Sequence, residues 1–505
     1  MPARTATNSF IRTNQGGVAY VRDEIRALLP QYELIRDCLA GEKQIKHRRE
    51  AYLPKPSPED TSKENEARYQ AYLKRAVFYN VTKRTLNGLV GQIFMREPVV
   101  EVPTLLDALV LDVTGSGVSL EQLAKKATSY VIAFGRAGIY ADYPAVAEPA
   151  TRKDIEEGDI RPTISCYAPW EAINWRTIVR GGRELLSLVV LAERYVVQDD
   201  GFEQKKEDQF RVLKLVDNTY VVEVWRKKGG GFFVAEAYIP TDATGNMLDE
   251  IPFVFVGTEN NDTNPDNPPL YDLASLNIAH YRNSADYEES CYMVGQPTPY
   301  FSGLTEDWVK NVLNGTVFLG ARGAVMLPEG GNAGLLQANA NSMPKEAMEL
   351  KERQMVALGA KLVEQKTVQR TATEASQEEA SESSTLAASA RNVANAIKWA
   401  LEWCGIFVGT GEAGIKFELN TDFDISNMSA ADRAQLIKEW QSGAITFEEM
   451  RAVLRKGGVA TLDDDEAKTK ISEEIANAPG LNNDPNNPPN NGNSGGNNTP
   501  PNNGG

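Results

Sequence analysis

The apolar residues between positions 345 and 408 fall into two stripes of helical period, and the rest of the chain is arranged around them. From Lys345 to Gln365 they recur at Met348, Met355, Leu358, Leu362 and Val363, one face of a helix. The next residues, Lys366-Thr-Val-Gln-Arg-Thr371, carry no period and form a polar elbow. Thr371 followed by Glu374 is a capping box, which predicts that a second helix starts there. Its stripe is Leu386, Val393, Ile397, Leu401 and Cys404, and Gly409 and Gly411 supply the stop. A helix over residues 373–408 spans roughly 50 Å at about 1.5 Å per residue, long enough to cross a domain. Its first half, Glu374 to Ser384, is polar all round. Such a segment is either a solvated helix end or a surface facing a lumen or a partner.

The segments before this pair change character twice. Helical patterning starts near Tyr20, is expected to break at Pro30, and resumes over Tyr32 to Leu39 until Gly41. A proline-rich loop follows at Tyr52 to Pro58. One long helix is predicted from Glu64 through Tyr69, Tyr72, Leu73, Leu86, Leu89 and Ile93, closed by Pro98 and Pro103. Ser119 to Phe134 reads as another helix, turning at Gly135 into a strand that ends at Tyr143. Residues 163–257 are β-rich, with runs at Thr163–Tyr167, Leu186–Tyr195, Phe210–Leu215, Tyr220–Trp225, Phe232–Ala237 and Ile251–Val256. The turn residues between them predict an antiparallel meander.

A polar Asn/Pro loop at 260–269 leads into a helix of roughly twenty residues from Leu270 that fades near Gly295. Gln296 to Met343 reads as an insert, with a short helix at Glu306–Val312 and a strand at Gly315–Leu319. The helices before and after it are expected to stand side by side and carry it at their tip. Beyond Gly414 come a strand at Ile415–Leu419 and short helices starting at Ser429, Thr446 and Asp463. Pro479 to Gly505 is Asn, Pro and Gly with one apolar residue, Leu481, and is expected to be disordered. The fold class that results is α+β, mainly helical, with a β-rich part.

Composition narrows the functions. The chain has 505 residues, enough for about three domains, and 42% hydrophobic residues, enough for real cores. No apolar run is long enough for a membrane helix, and Met1-Pro-Ala-Arg-Thr-Ala-Thr-Asn8 lacks the apolar core of a secretory signal. The net charge of −16 excludes a bulk electrostatic grip on nucleic acid. Cys38, Cys166, Cys291 and Cys404 are far apart and predict free thiols in a reducing compartment.

Catalytic chemistry is sparse. With only His47 and His280, histidine-based zinc sites and triads have little room. His47 lies in a basic run and reads as a solvated helix end; His280 reads as a packed or capping residue. There is no P-loop and no nucleophile elbow, and Gly115-Ser-Gly117 fails the dinucleotide fingerprint because Leu stands at 120. Asp463 to Glu466 lacks the spacing of a calcium loop and reads as the charged start of a helix. No enzyme, cofactor or metal is expected.

The order of certain segments resembles the portal proteins of tailed bacteriophages. The matching pieces are Ile35 to Glu42 with Tyr52-Leu-Pro54, Ala172-Ile-Asn-Trp-Arg176, Ile251-Pro-Phe-Val-Phe-Val-Gly257 and Pro268 to Arg282. They continue with Leu327-Pro-Glu-Gly-Gly331, Gln354 to Ala360 and Thr371-Ala-Thr-Glu-Ala375. The resemblance runs over about residues 20 to 476; its specificity lies in the ordered set, since none of the motifs is diagnostic alone.

This resemblance implies a ring of twelve copies at one capsid vertex. Residues 1–18 would be a flexible lead, 19–269 the wing, 270–295 and 345–365 the stem helices, and 296–344 the clip between them. Residues 366–372 would be the tunnel loop, 373–428 the long wing helix and strand, 429–478 the crown, and 479–505 a disordered tail with no family role. Implied partners are further copies of the chain, the terminase packaging motor, the major capsid and scaffolding proteins, and head-completion or adaptor proteins. Double-stranded DNA would pass through without sequence recognition. The implied location is the virion, after assembly in the host cytoplasm, with no membrane involved. Channel candidates are Lys361, Lys366, Thr367, Gln369 and Arg370, with Glu374 and Glu378 as the repelling acidic run. Two readings of other classes compete: a virion structural or adaptor protein without a DNA channel, and an enzyme without a recognisable motif.

Overall fold

The computed structural model describes residues 16–143, 161–312 except 243 and 297, 326–336, 341–361, 385–423 except 422, and 430–477 except 457–459 and 461. Two compact units divide at Phe423 and Asp424. In the first, the helices are α1 (Asp23–Ala40), α2 (Glu42–His47), α3 (Lys63–Arg75), α4 (Val81–Ile93), α5 (Asp107–Leu111) and α6 (Leu120–Phe134), then α7 (Tyr271–Gly295), α8 (Glu306–Asn311), α9 (Met343–Lys361) and α10 (Thr385–Val408). Its strands are β1 (Val99–Glu101), β2 (Arg136–Asp142), β3 (Thr163–Tyr167), β4 (Ala172–Arg180), β5 (Arg183–Asp199) and β6 (Gln204–Val216), followed by β7 (Thr219–Lys228), β8 (Gly231–Tyr238), β9 (Phe253–Gly257), β10 (Thr298–Ser302), β11 (Asn332–Leu336) and β12 (Lys416–Glu418). The second unit holds α11 (Ala430–Gln441), α12 (Phe447–Lys456) and α13 (Asp464–Asn477). The fold is α+β and mainly helical.

The helical reading needs two corrections. Pro30 does not break the first helix: α1 runs through it. Proline removes one backbone bond, but Ile25, Leu29, Tyr32, Ile35 and Cys38 bury one continuous face on both sides of it. Conversely, the single helix expected over 64–93 is two. Ala76 to Asn80 separates them, and the Asn80 side chain caps α4 by accepting from Lys83 N. The expected helix at Ser119 has a full capping box with Gln122.

The β-rich region is also divided differently. β4 to β8 form a five-stranded antiparallel meander in sequence order. β4 was not expected as a strand of this sheet. β3 and β9 leave the meander and flank β2 in a separate sheet, with Gly138 opposite both Tyr167 and Phe255. β1, unpredicted, pairs with β12. β5 and β6 run much longer than their apolar cores. From Arg194↔Asp208 to Asp199↔Gln204 they pair only with each other, since β4 reaches only Leu191 and β7 only Gln209. A two-stranded ribbon therefore extends beyond the sheet.

The main core lies around α10. It packs against α6, β2, β9 and β12, and buries Val393, Ile397, Leu401, Trp403, Cys404 and Phe407 among others. One stripe was expected, but the burial wraps more than one face, as for a helix enclosed by its neighbours. The predicted start of this helix, 373–384, lies outside the described residues, as do the strand expected at Gly315–Leu319 and the tail from Pro479. The glycine stop is present: Gly409 and Gly411 have φ of 80° and 72°, and both Thr410 N and Gly411 N donate to the Gly405 carbonyl.

Within the second unit, Leu436, Met450 and Ala467 are buried. Thr446 and Glu449 make the expected reciprocal cap. The acidic run is used internally: Asp463 accepts from Glu466 N, and Asp464 pairs with Arg455 at 2.8 Å.

Gly135 supplies a sharp test of this packing. It ends α6 at φ 75°, and a Cβ there would lie 2.8 Å from the carbonyl oxygens of both Asp266 and Asn267. Gly135→Ala is expected to cost about 1–3 kcal/mol, read as a lower urea midpoint; an unchanged midpoint contradicts the close approach.

Candidate functional site

The site predicted by the sequence falls largely outside the described residues. Lys366, Thr367, Gln369, Arg370, Glu374 and Glu378 all lie in the 362–384 stretch, and Lys361 is the last residue of α9. What the structure does show is a pair of long helices, the second of which, α9, ends where that stretch begins.

α7 and α9 pack side by side. Buried His280 contacts Glu352 through Nε2 and Oε1 at 3.1 Å, and Lys351 Nζ donates to Asn283 Oδ1 at 2.6 Å. As the number rises along α7 it falls along α9, so the pair is antiparallel. At its turning end sits the insert, where β10 and β11 pair from Thr298↔Leu336 to Ser302↔Asn332. The expected side-by-side arrangement is thus present. β10 had not been anticipated, and the helix at 306 was.

The root of α7 is held by polar groups that the sequence did not flag. Asn277 is fully buried. Its Oδ1 accepts from Thr82 N at 3.2 Å and Thr82 Oγ1 at 3.0 Å, and its Nδ2 donates to the Tyr79 carbonyl at 2.8 Å. Ser284 Oγ accepts from Val77 N and lies 2.7 Å from the Val77 carbonyl. These bonds satisfy the backbone exactly where α3 and α4 part, which is why the helix divides there. A polar residue within an apolar heptad-like run of α7 was the available signal, but it reads equally as a solvated position until the partner is known. Further along, Tyr72 donates to Asp286 at 2.6 Å, and Arg75 pairs with Glu289. Burial and the Asp286 carboxylate push the Tyr72 hydroxyl up from its ordinary value. Cys38 packs against the Ala274 carbonyl, and burial pushes its thiol up to about 12.

Beyond Ala285 no residue of α7 is buried, and Met355 alone is buried on α9 among side chains described there. Tyr292, Met293, Met343, Leu350 and Val356 are exposed. The helix pair is therefore rooted in the core at one end, while at the other Arg75 covers the Tyr292 ring at 4.3 Å and Met293 and Met343 are exposed.

Between α4 and α9 lies a groove of about 1030 Å³ with mainly apolar walls, among them Leu89, Met355 and Val356. The helices touch where Gly359 meets Thr85, and Gly88 leaves open space beside that contact. Arg84 and Arg353 stand on the groove wall. Neither has a carboxylate partner among the described residues. His280 stays behind this wall, beside the Tyr79 ring at 6.2 Å, a packed residue as expected. His47 ends α2 exposed.

A family model described as "Domain of unknown function (DUF4055)" matches residues 269–408, which is α7 through α10 and less than half of the chain. No curated protein matches the chain. Among solved structures, it is similar to a chain of the neck of the native GTA particle, computed with C12 symmetry. That likeness has 15% identity and a TM-score of 0.38, and covers 76% of this chain and 92% of the other. A chain of the neck of the empty GTA particle, computed with C6 symmetry, has 15% identity, a TM-score of 0.39, and coverage of 76% and 90%. A likeness this distant leaves the function to be argued from the residues.

Two measurements check the helix root. Asn277→Ala strands the Thr82 and Tyr79 groups and is expected to cost about 1–3 kcal/mol, seen as earlier thermal unfolding; equal stability would contradict the role of Asn277 at the root of α7. Iodoacetamide on the folded protein is expected to modify Cys291, which is exposed, well before Cys38, Cys166 and Cys404, which are buried. Mass spectrometry of the labelled peptides decides, and equal labelling of all four would contradict the packing.

Proposed function

We propose that the chain is the subunit of a portal-type ring, the channel at one vertex of a phage capsid through which double-stranded DNA is packaged and ejected. One observation carries the reading: an antiparallel helix pair, rooted at one end by Asn277 and Ser284, carries an insert at the other and leaves Met293 and Met343 beside that insert exposed. A helix pair that reaches beyond a large packed core, with exposed apolar residues beside its insert, is the form expected of a subunit whose copies complete one another around an axis. The ordered sequence resemblance runs through these same segments. On it, α7 and α9 are the stem helices, 296–344 the clip, 366–372 the tunnel loop, and 429–478 the crown.

The charge supports passage rather than capture of DNA. A chain of net charge −16 repels phosphate in bulk. Lys361, Lys366 and Arg370 would then be sparse, transient phosphate contacts, with Thr367 and Gln369 between them and Glu374 and Glu378 opposing tight binding. The reading places the protein in the virion, with the packaging motor, capsid, scaffolding and adaptor proteins as partners. It assigns a structural role and no catalytic one.

Negative-stain imaging and native mass of the full chain test it: a closed ring with a central hole is expected, and a monomer or an open assembly overturns it. The double variant Lys366→Ala, Arg370→Ala is expected to form the same rings and to package or retain less DNA. Packaging equal to the parent's would remove the elbow from the channel, and failure to form rings would make these residues structural.

A further inference from the structure

The two larger sheets of the first unit meet across a polar seam. β2 and β3 bring Tyr140, Asp142 and Tyr167 to it, and the meander brings Glu193 from β5, Arg211 from β6, Tyr220 from β7 and Tyr238 from β8. Tyr140 and Tyr220 are buried, and their hydroxyl oxygens lie 2.8 Å apart. Arg211 stands between the two carboxylates. Its Nε donates to Glu193 Oε1 at 2.9 Å, and its Nη1 donates to Asp142 Oδ2 at 3.2 Å and to the Tyr238 hydroxyl at 3.3 Å. Among the described residues Arg211 is the only cation paired with either carboxylate. One positive and two negative charges therefore share a seam in which each of the three side chains is at most 23% exposed.

The hydrogen bonds distinguish the two carboxylates. Glu193 has the shorter contact to Arg211, and it accepts from the Tyr167 hydroxyl at 2.7 Å and from Gln209 Nε2 at 2.9 Å. Asp142 has the longer contact to Arg211 and accepts from the Tyr140 hydroxyl at 2.8 Å. Close donors favour the charged form of a carboxylate, so Glu193 keeps its charge and Asp142 is the member that can give it up. Burial pushes the Asp142 carboxyl up from its ordinary value of 3.8, and Glu193 adds to that push against the pull of Arg211, the Tyr140 hydroxyl and Tyr143 N. A cavity of about 290 Å³, lined by Lys126, Ser165, Tyr167, Glu171 and Glu193 among others, reaches the seam from the side of α6. Lys126 is turned to the Cys166 carbonyl there, at 3.2 Å.

We propose that this seam is a proton-operated joint: Asp142 takes up a proton as the surroundings acidify, one guanidinium is left facing one carboxylate, and the meander is then held more firmly to the β2 sheet. In the charged state one enclosed negative charge has no counterpart, and removing such a charge from water is costly. The neutral carboxyl removes that cost and keeps an oxygen that can accept a hydrogen bond. Folded Asp142 binds its proton at a higher pH than unfolded Asp142, so folding is coupled to proton uptake. The stability withheld by the charged carboxyl returns as pH falls through the folded value and is complete below 3.8. The joint lies within one chain and does not depend on the ring reading. The meander carries the β5–β6 ribbon, so the joint sets how firmly that ribbon is mounted.

The test is hydrogen exchange, read by mass spectrometry, on the full chain and on Asp142→Asn between about pH 7.5 and about pH 4, corrected for the intrinsic rate at each pH. Protection of β2 and β6 peptides in the parent, relative to the variant, is expected to rise as pH falls, by up to about tenfold for each unit between the folded and unfolded values. Asparagine takes up no proton, so a constant cost of the substitution leaves this trend unchanged. A ratio that stays level or falls on acidification overturns the joint. Glu193→Gln assigns the carboxyl: a rise against this variant but not against Asp142→Asn puts the proton on Glu193 and overturns the proposal for Asp142. If Asp142→Asn does not fold, the parent's protection of β2 and β6 relative to α10 decides; a rise on acidification is expected, and a level or falling ratio overturns the joint.

Discussion

The burial of α10 is the constraint on which the first unit depends. This helix lies against α6, β2, β9 and β12, so helical and sheet layers share one apolar surface. Each fully buried Val, Leu, Ile or Phe contributes about 1.5–3 kcal/mol, and the helix supplies several. Its alanines, Ala387, Ala390, Ala396 and Ala400, are buried as well and allow close approach. The seam to β9 is polar and paired: Asn392 Nδ2 donates to the Gly257 carbonyl at 3.0 Å, and Asn261 Nδ2 donates to the Asn392 carbonyl at 3.0 Å. Tyr143 stacks on Phe407 at 5.1 Å near the far end of the helix.

Around that core, polar groups decide how the layers meet. Between the two larger sheets, Arg211 reaches Glu193 at 2.9 Å and Asp142 at 3.2 Å, while Tyr167 donates to Glu193. Burial pushes the Asp142 carboxyl up against the pull of Arg211. Burial lowers Arg211 in turn, but Glu193 and Asp142 raise it by more. Arg136 is enclosed differently: its guanidinium lies 3.6 Å from the Phe255 ring centre and 4.5 Å from that of Trp175, and burial pulls it down to about 10. Cations held this way orient the strands without requiring a matched carboxylate beside each one.

The helix pair departs from this economy. Near its root Asn277 has partners for both its oxygen and its nitrogen, yet toward the insert Met293 and Met343 are exposed. Phe202 at the ribbon tip is exposed as well. Not every buried group is satisfied even at the root: His280 Nδ1 and the Tyr281 hydroxyl on α7 have no hydrogen-bond partner among the described residues, so the root is held by Asn277 and Ser284 rather than by a complete polar network.

Local pattern alone determined several elements. The capping residues Ser119 and Thr446, the glycines after Val408, the helices on either side of the insert, and the apolar runs with turn residues between them in β5 to β8 act within a few residues, and the structure contains them. The channel candidates from Lys361 to Glu378 were legible only as a break in period, and their placement remains with the proposal. What tertiary structure decided was of longer range. Pro30 stays inside α1 because the buried face on both sides outweighs one lost backbone bond. The division between α3 and α4 depends on Asn277 and Ser284, roughly two hundred positions away, which no local period can reveal. β3 and β9 join β2 because sheet membership is set by which edges remain open after the core closes. The groove beside Gly88 and the ribbon beyond β4 exist for the same reason: both are spaces or edges left by packing, and packing is a property of the assembled chain.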